Sequence, residues 1–137
     1  MPSGWDPQPL RPPFRIMIVG CGTPRFFDAT DEERAQVFLP RFGQMLKEWE
    51  ELGASSVGSF CDDVFQVGET AAPFWAWYLV YEIDSLDTAA AMVQASRQTV
   101  GGVRLDRWVR IELRIGRPFF AHEETVPHSV VDTEAVA

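Results

Sequence analysis

The chain has 137 residues, a length that fits a single domain able to bury a sizeable core. Hydrophobic residues make up 46% and charged residues 23%, an ordinary globular balance, yet five Trp and ten Phe are a heavy aromatic load that needs a home. The net charge of −8 argues against a nucleic-acid partner, because phosphate backbones are held by Lys and Arg.

The longest apolar runs, residues 16–19 and 74–81, fall far short of the roughly 20 residues that span a bilayer. The N-terminus also lacks a basic-then-apolar leader pattern, so the expectation is a cytoplasmic protein with no membrane partner. Two cysteines, Cys21 and Cys61, are too few for a disulfide framework. With two histidines and no metal-ligand spacing, no metal is expected.

Residues 1–13 are proline-rich and aperiodic and read as an extended arm. Phe14 to Cys21 (FRIMIVGC) is rich in β-branched residues and apolar on both parities, which predicts a first strand covered on two sides. A loop over residues 22–30 carries Arg25, Phe26 and Phe27. Thr30 followed by Glu33 is a capping box, so a helix should begin near Asp31. Phe38, Phe42, Met45, Leu46, Trp49 and Leu52 form its apolar stripe, Gly53 stops it, and Pro40 should kink or restart it.

Residues 54–67 read as a weaker second strand, with Asp62 and Asp63 at a bulge or turn. Phe74 to Ile83 (FWAWYLVYEI) is the strongest strand signal and has no wet face. Asp84 or Ser85 caps a second helix to about residue 99, with Leu86, Ala89, Ala90, Val93 and Ala95 as a small-residue stripe, and Gly101–Gly102 end it. Val103 to Ile115 then alternates, placing Val103, Leu105, Val109, Ile111, Leu113 and Ile115 on one face. Arg104, Asp106, Trp108, Arg110, Glu112 and Arg114 fall on the other. Residues 14–120 form the domain, and the acidic stretch 121–137, which carries His122 and His128, reads as a flexible tail.

This order predicts an α+β fold, ferredoxin-like βαββαβ, with a four-stranded antiparallel sheet and two helices on one face. Because strands one and three are apolar on both parities, the second face needs a cover, and a homodimer is the economical one. Its interface should take one face of strand three and the Trp108, Arg110, Glu112 parity of the last strand.

The doubly apolar FWAWYLVYEIDS running into a capped alanine-rich helix, and the closing WVRIELRIGRPFF, resemble the dimeric α+β barrel superfamily over residues 14–120. That superfamily includes antibiotic-biosynthesis monooxygenases, muconolactone-isomerase-like proteins, polyketide cyclases and YCII-related proteins. The resemblance implies facing sheets and a cavity between each sheet and its helices. Haem-binding relatives place a histidine on a helix or a nearby loop, and YCII-like proteins carry a His and Asp pair. Here both histidines follow the last strand and the first helix reads PRFGQMLKEW, so haem and that catalytic pair are not expected.

The candidate site residues each have a structural alternative. Asp62 supplies a carboxylate base or sits in a solvated turn. Tyr78 and Tyr81 donate to an oxyanion or phenolic ligand, or serve as core aromatics. Trp75 and Trp77 line a flat pocket or pack on the helices. Arg110, beside Trp108 and Glu112, fixes a carboxylate or ketone oxygen or joins an intersubunit ion-pair ladder. Arg25, Phe26 and Phe27 form a cavity lid or a loop with its own anchor. Gly20 and Gly22 lack the G-x-G-x-x-G spacing of a phosphate loop, so no cofactor is expected.

Two functional classes follow: a cofactor-independent oxygenase, isomerase or cyclase acting on a hydrophobic aromatic metabolite, or a non-catalytic binding or accessory protein. A carboxylate buried in the cavity would favour the first, and a wholly apolar cavity the second.

Overall fold

The computed structural model describes residues 10–64, 67–68 and 76–117. In chain order the elements are β1 (Phe14–Gly22), α1 (Pro24–Asp28), α2 (Asp31–Glu33), a π-helical turn (Arg34–Phe38), α3 (Leu39–Glu51), β2 (Ser55–Cys61) and β3 (Trp77–Ile83). There follow α4 (Leu86–Arg97), a ribbon of β4 (Thr99–Val100) and β5 (Val103–Arg104), a 3-10 turn (Leu105–Arg107) and β6 (Val109–Gly116). The main sheet has the order β2-β3-β1-β6, and every pairing in it is antiparallel. The protein is therefore α+β, with more helical segments and one more ribbon than the six-element order expected from sequence.

Local chemistry explains the helical stretch. The Thr30 hydroxyl accepts from the Glu33 amide at 3.0 Å and the Glu33 carboxylate accepts from the Thr30 amide at 3.1 Å, so the capping box forms as read. The interruption expected at Pro40 takes the form of the π turn. Proline has no amide to donate and its ring crowds the carbonyl four residues back. The chain widens just before it, with the Leu39 amide donating to the Arg34 carbonyl five residues earlier. At the far end Gly53, at φ +104°, leaves the helix through a conformation other residues resist.

β2 is shorter than the 54–67 segment read from sequence: it ends at Cys61 and the chain bends at Asp62, as the turn reading has it, while the irregularity in the β2–β3 register lies between Ser56 and Gly58. Ser85, and not Asp84, caps α4, its hydroxyl accepting from the Asp87 amide. The loop expected over residues 22–30 contains α1, started by Pro24 at a position where the missing amide costs nothing.

The last strand departs most from expectation. The residues at 103–115 do not run as one alternation: Gly101 and Gly102, both at positive φ, turn β4 into β5, and the 3-10 turn then separates β5 from β6. That turn resets the phase. Leu105, Trp108 and Val109 all become buried, so Trp108 packs into the core and leaves the interface parity it was expected to share with Arg110 and Glu112, while Arg110, Glu112 and Arg114 stay on the surface.

The core lies between the sheet and the helices. Ile16, Ile18 and Ile83 from the sheet meet Met45 and Trp49 from α3, Met92 from α4 and Leu105, all fully buried. Trp49 is fixed from both sides: its indole N–H donates to the Met92 carbonyl at 3.1 Å and its ring meets Tyr81 edge-on. By strand alternation the opposite face carries Met17, Val19, Tyr78 and Val80 at its centre, with the Arg15–Glu82 and Arg114–Glu112 ion pairs around them. Among the described residues no helix is long and apolar enough to cross a membrane. Residues 1–9 of the arm, Phe74, Trp75 and residues 118–137 with both histidines lie outside the described residues.

Candidate functional site

β1 ends in Gly20-Cys21-Gly22, and strand alternation puts both glycines on the helix side of the sheet. A side chain at Gly20 would begin 2.1 Å from the indole of Trp77, which reaches across from the paired position on β3. One at Gly22 would begin 2.8 Å from the ring of Phe26 and 3.0 Å from that of Phe27. Each glycine is therefore a seat for an aromatic ring, the use of strand glycine wherever another group must approach the backbone.

From those seats a line of rings runs around a pocket of about 580 Å³. Phe27 meets Phe26 edge-on at 5.4 Å, Phe26 meets Phe38 at 5.3 Å, Phe38 meets Phe42 at 5.4 Å and Phe42 meets Trp77 at 5.6 Å. Phe26 and Phe27 are presented by α1, Phe38 by the π turn and Phe42 by the first turn of α3. Leu79 and Val109 supply buried apolar wall on the sheet side, while Phe27 and Leu39, respectively 66% and 57% exposed, rim the mouth.

The polar lining among the described residues is Arg34, Ser59 and Cys61. Arg34 is committed to holding α1: Nε donates to the Phe26 carbonyl at 2.8 Å, Nη2 to the Phe27 carbonyl at 3.0 Å and Nη1 to Asp31 at 2.7 Å. The start of α1 is held as well, since the Thr23 amide donates to the Trp108 carbonyl at 3.0 Å. Arg25 lies 4.1 Å above the Trp108 ring and donates to Glu33 at 3.2 Å. The Thr30 backbone amide, with help from Arg25, holds the Glu33 carboxyl below its usual range.

Of the residues singled out from sequence, Phe26, Phe27 and Trp77 meet at this pocket. Trp108 sits behind Phe38, stacked on it at 5.6 Å, with the Arg25 guanidinium also over its ring. Tyr81 is buried under Trp49, and burial, together with the nearby Glu50, pushes its phenol pKa upward. Tyr78 belongs to the opposite sheet face, its ring stacked on Phe60 at 5.1 Å. Arg110 is exposed, also on that face, opposite Cys21 in the β1–β6 register. Asp62 is exposed at the end of β2, next to the lining Cys61, its amide donating to the Ala76 carbonyl. Trp75 lies outside the described residues.

Phe38 and Phe42 were legible only as part of a core stripe, and Gly20, Gly22, Arg34 and Ser59 were not read as site residues. Two glycines spaced by one residue inside an apolar strand are the signal that was there to find. Among the described residues no group of three or more His, Cys, Asp or Glu side chains is placed to hold a metal ion. Comparison with protein-family models finds no match, and comparison with curated protein sequences finds none either.

Proposed function

We propose that this protein binds a hydrophobic, aromatic small molecule in the ring-walled pocket. The observation that carries the reading is the pocket's lining: mostly aromatic and aliphatic side chains, with Arg34, Ser59 and Cys61 as its polar members and no carboxylate, imidazole or phenol among the described residues. A volume of about 580 Å³ is in the range that holds a small ligand. Of the two classes raised by the sequence, such a lining favours the binding or accessory protein, because the carboxylate, imidazole or phenol that most often carries acid–base chemistry is absent from its described members and Arg34 is already committed to the α1 carbonyls and Asp31.

The cofactor-independent enzyme, of oxygenase, isomerase or cyclase type, is the second reading. It rests on Asp62, the residue following the lining thiol of Cys61 at the pocket's edge.

We also propose that the fold is of the ferredoxin-like, dimeric α+β barrel kind. With the β4–β5 ribbon taken as an insertion, strands β1, β2, β3 and β6 and the intervening helices follow a βαββαβ order. The face bearing Met17, Tyr78 and Val80 would then meet a second copy, with Arg110, Glu112 and Arg114 at its rim.

Titration with 1-naphthol, indole and simple phenols, followed by tryptophan fluorescence and by mass spectrometry of the products, tests the pocket. Saturable binding is expected. Leu39→Glu, at the exposed rim, should weaken it about tenfold while leaving the unfolding transition in place. Binding without product supports the binder. Turnover that Asp62→Asn abolishes at unchanged affinity supports the enzyme. No saturable binding by any compound would sink the pocket reading.

A further inference from the structure

We propose that Gly20 and Trp77 together set the size of ligand the pocket admits, so that the pair is its specificity determinant; this rests on the reading of the pocket as a ligand site. Trp77 is the ring that closes the line begun by Phe27, and it occupies its place only because Gly20 has no side chain. Three atoms of the indole's six-membered ring lie within 2.6 Å of where a Cβ would stand, with Cζ2 at 2.1 Å. No real Cβ makes such a contact, and the atoms concerned belong to a rigid ring, so one added carbon at position 20 must displace the whole indole.

The surroundings favour one direction for that displacement. Strand β1 lies beneath the ring. Phe42 stands edge-on to it at 5.6 Å and Leu79 lies two residues along the same strand face, while Trp77 itself lines the pocket on this side of the sheet, so a ring lifted off the strand moves into pocket space. A carbon at position 20 is therefore read as lost pocket depth. Gly22 acts differently. A Cβ there meets Phe26 and Phe27 on α1, at the mouth, so it alters entry more than depth. The wall being made of rings, the ligand class that senses Trp77 is a neutral, planar, fused-ring molecule whose far edge reaches the indole.

The experiment compares two such probes, 2-naphthol and 1-hydroxypyrene, by tryptophan fluorescence and calorimetry with the full chain. In the unmodified protein both bind. In Gly20→Ala the larger probe should lose roughly tenfold or more in affinity while the smaller changes by less than about threefold, because overpacking is felt only by a ligand that needs the lost depth.

Trp77→Phe, which shortens the ring without crowding the strand, should shift preference the other way. The double variant Gly20→Ala/Trp77→Phe should recover binding of 1-hydroxypyrene. That recovery keeps the proposal testable should Gly20→Ala alone fail to fold, and a merely structural role for the pair would not produce it as a change of size preference. Equal losses for both probes, or an unchanged size preference in Trp77→Phe and in the double variant, overturn the proposal. Failure of the unmodified protein to bind either probe instead overturns the pocket reading beneath it.

Discussion

At Tyr81 the phenol is buried between the sheet and Trp49, and its neutral form is favoured first by that burial and then by the negative charge of Glu50. Its folded pKa therefore lies above the ordinary value of about 10. The stabilisation from this group is complete below the unfolded value and is lost as pH rises through the folded one, so the protein should weaken in the alkaline range. The chain has two tyrosines, so a Tyr78→Phe background leaves Tyr81 alone to be followed by absorbance at 295 nm. A midpoint clearly above 10 is expected, and Tyr81→Phe should flatten the alkaline loss of stability. An ordinary midpoint would contradict the burial argument. Trp49 makes a second case at this scale: it fills the core and donates to Met92, and Trp49→Ala should cost about 3–5 kcal/mol in denaturant unfolding.

Among the elements, the start of α2 depends on a reciprocal pair of hydrogen bonds, and Thr30→Ala should lower stability by about 1 kcal/mol in urea unfolding. No change would mean that Arg34, tied to Asp31 and to the α1 carbonyls, holds the segment by itself. The capping box was legible because its two partners are three residues apart and need nothing else. The stripe from Phe38 to Trp49 was legible for a similar reason, since helical periodicity survives the π turn as a change of phase. The phase of the last strand was not legible. Whether Trp108 falls with Arg110 or with Val109 depends on the 3-10 turn at Leu105–Arg107, whose first residue is buried in the core. Propensity and alternation carry no information about such a tertiary requirement. The pocket was half legible: Phe26, Phe27 and Trp77 announced themselves as surplus aromatics, but the seats that hold them are glycines, which hydrophobic patterning passes over.

For the whole molecule, the face carrying Met17, Tyr78 and Val80 leads to a measurable expectation. If two copies pair through it as proposed, light scattering at micromolar concentration should give twice the chain mass of 15.5 kDa. Val80→Glu should shift the mass toward the monomer, since it would bury an unpaired charge at the centre of that face. A monomer in the unmodified protein would remove the dimer and with it the barrel analogy. The sheet order has a consequence in time as well as in space. β1 is bonded along its length to β3 on one side and β6 on the other, whereas β2 is an edge strand with a bulge and little burial. Amide protons of Ile16 to Val19 should then exchange with deuterium only when the whole domain opens, and the outward amides of β2 in brief local openings. The pocket is built between these extremes, with Gly22 at one end of the slowest strand and Ser59 and Cys61 on the fastest. Its ring seats would persist through many excursions of its rim, so a guest could exchange on the clock of the edge while the site itself lasts on the clock of the core.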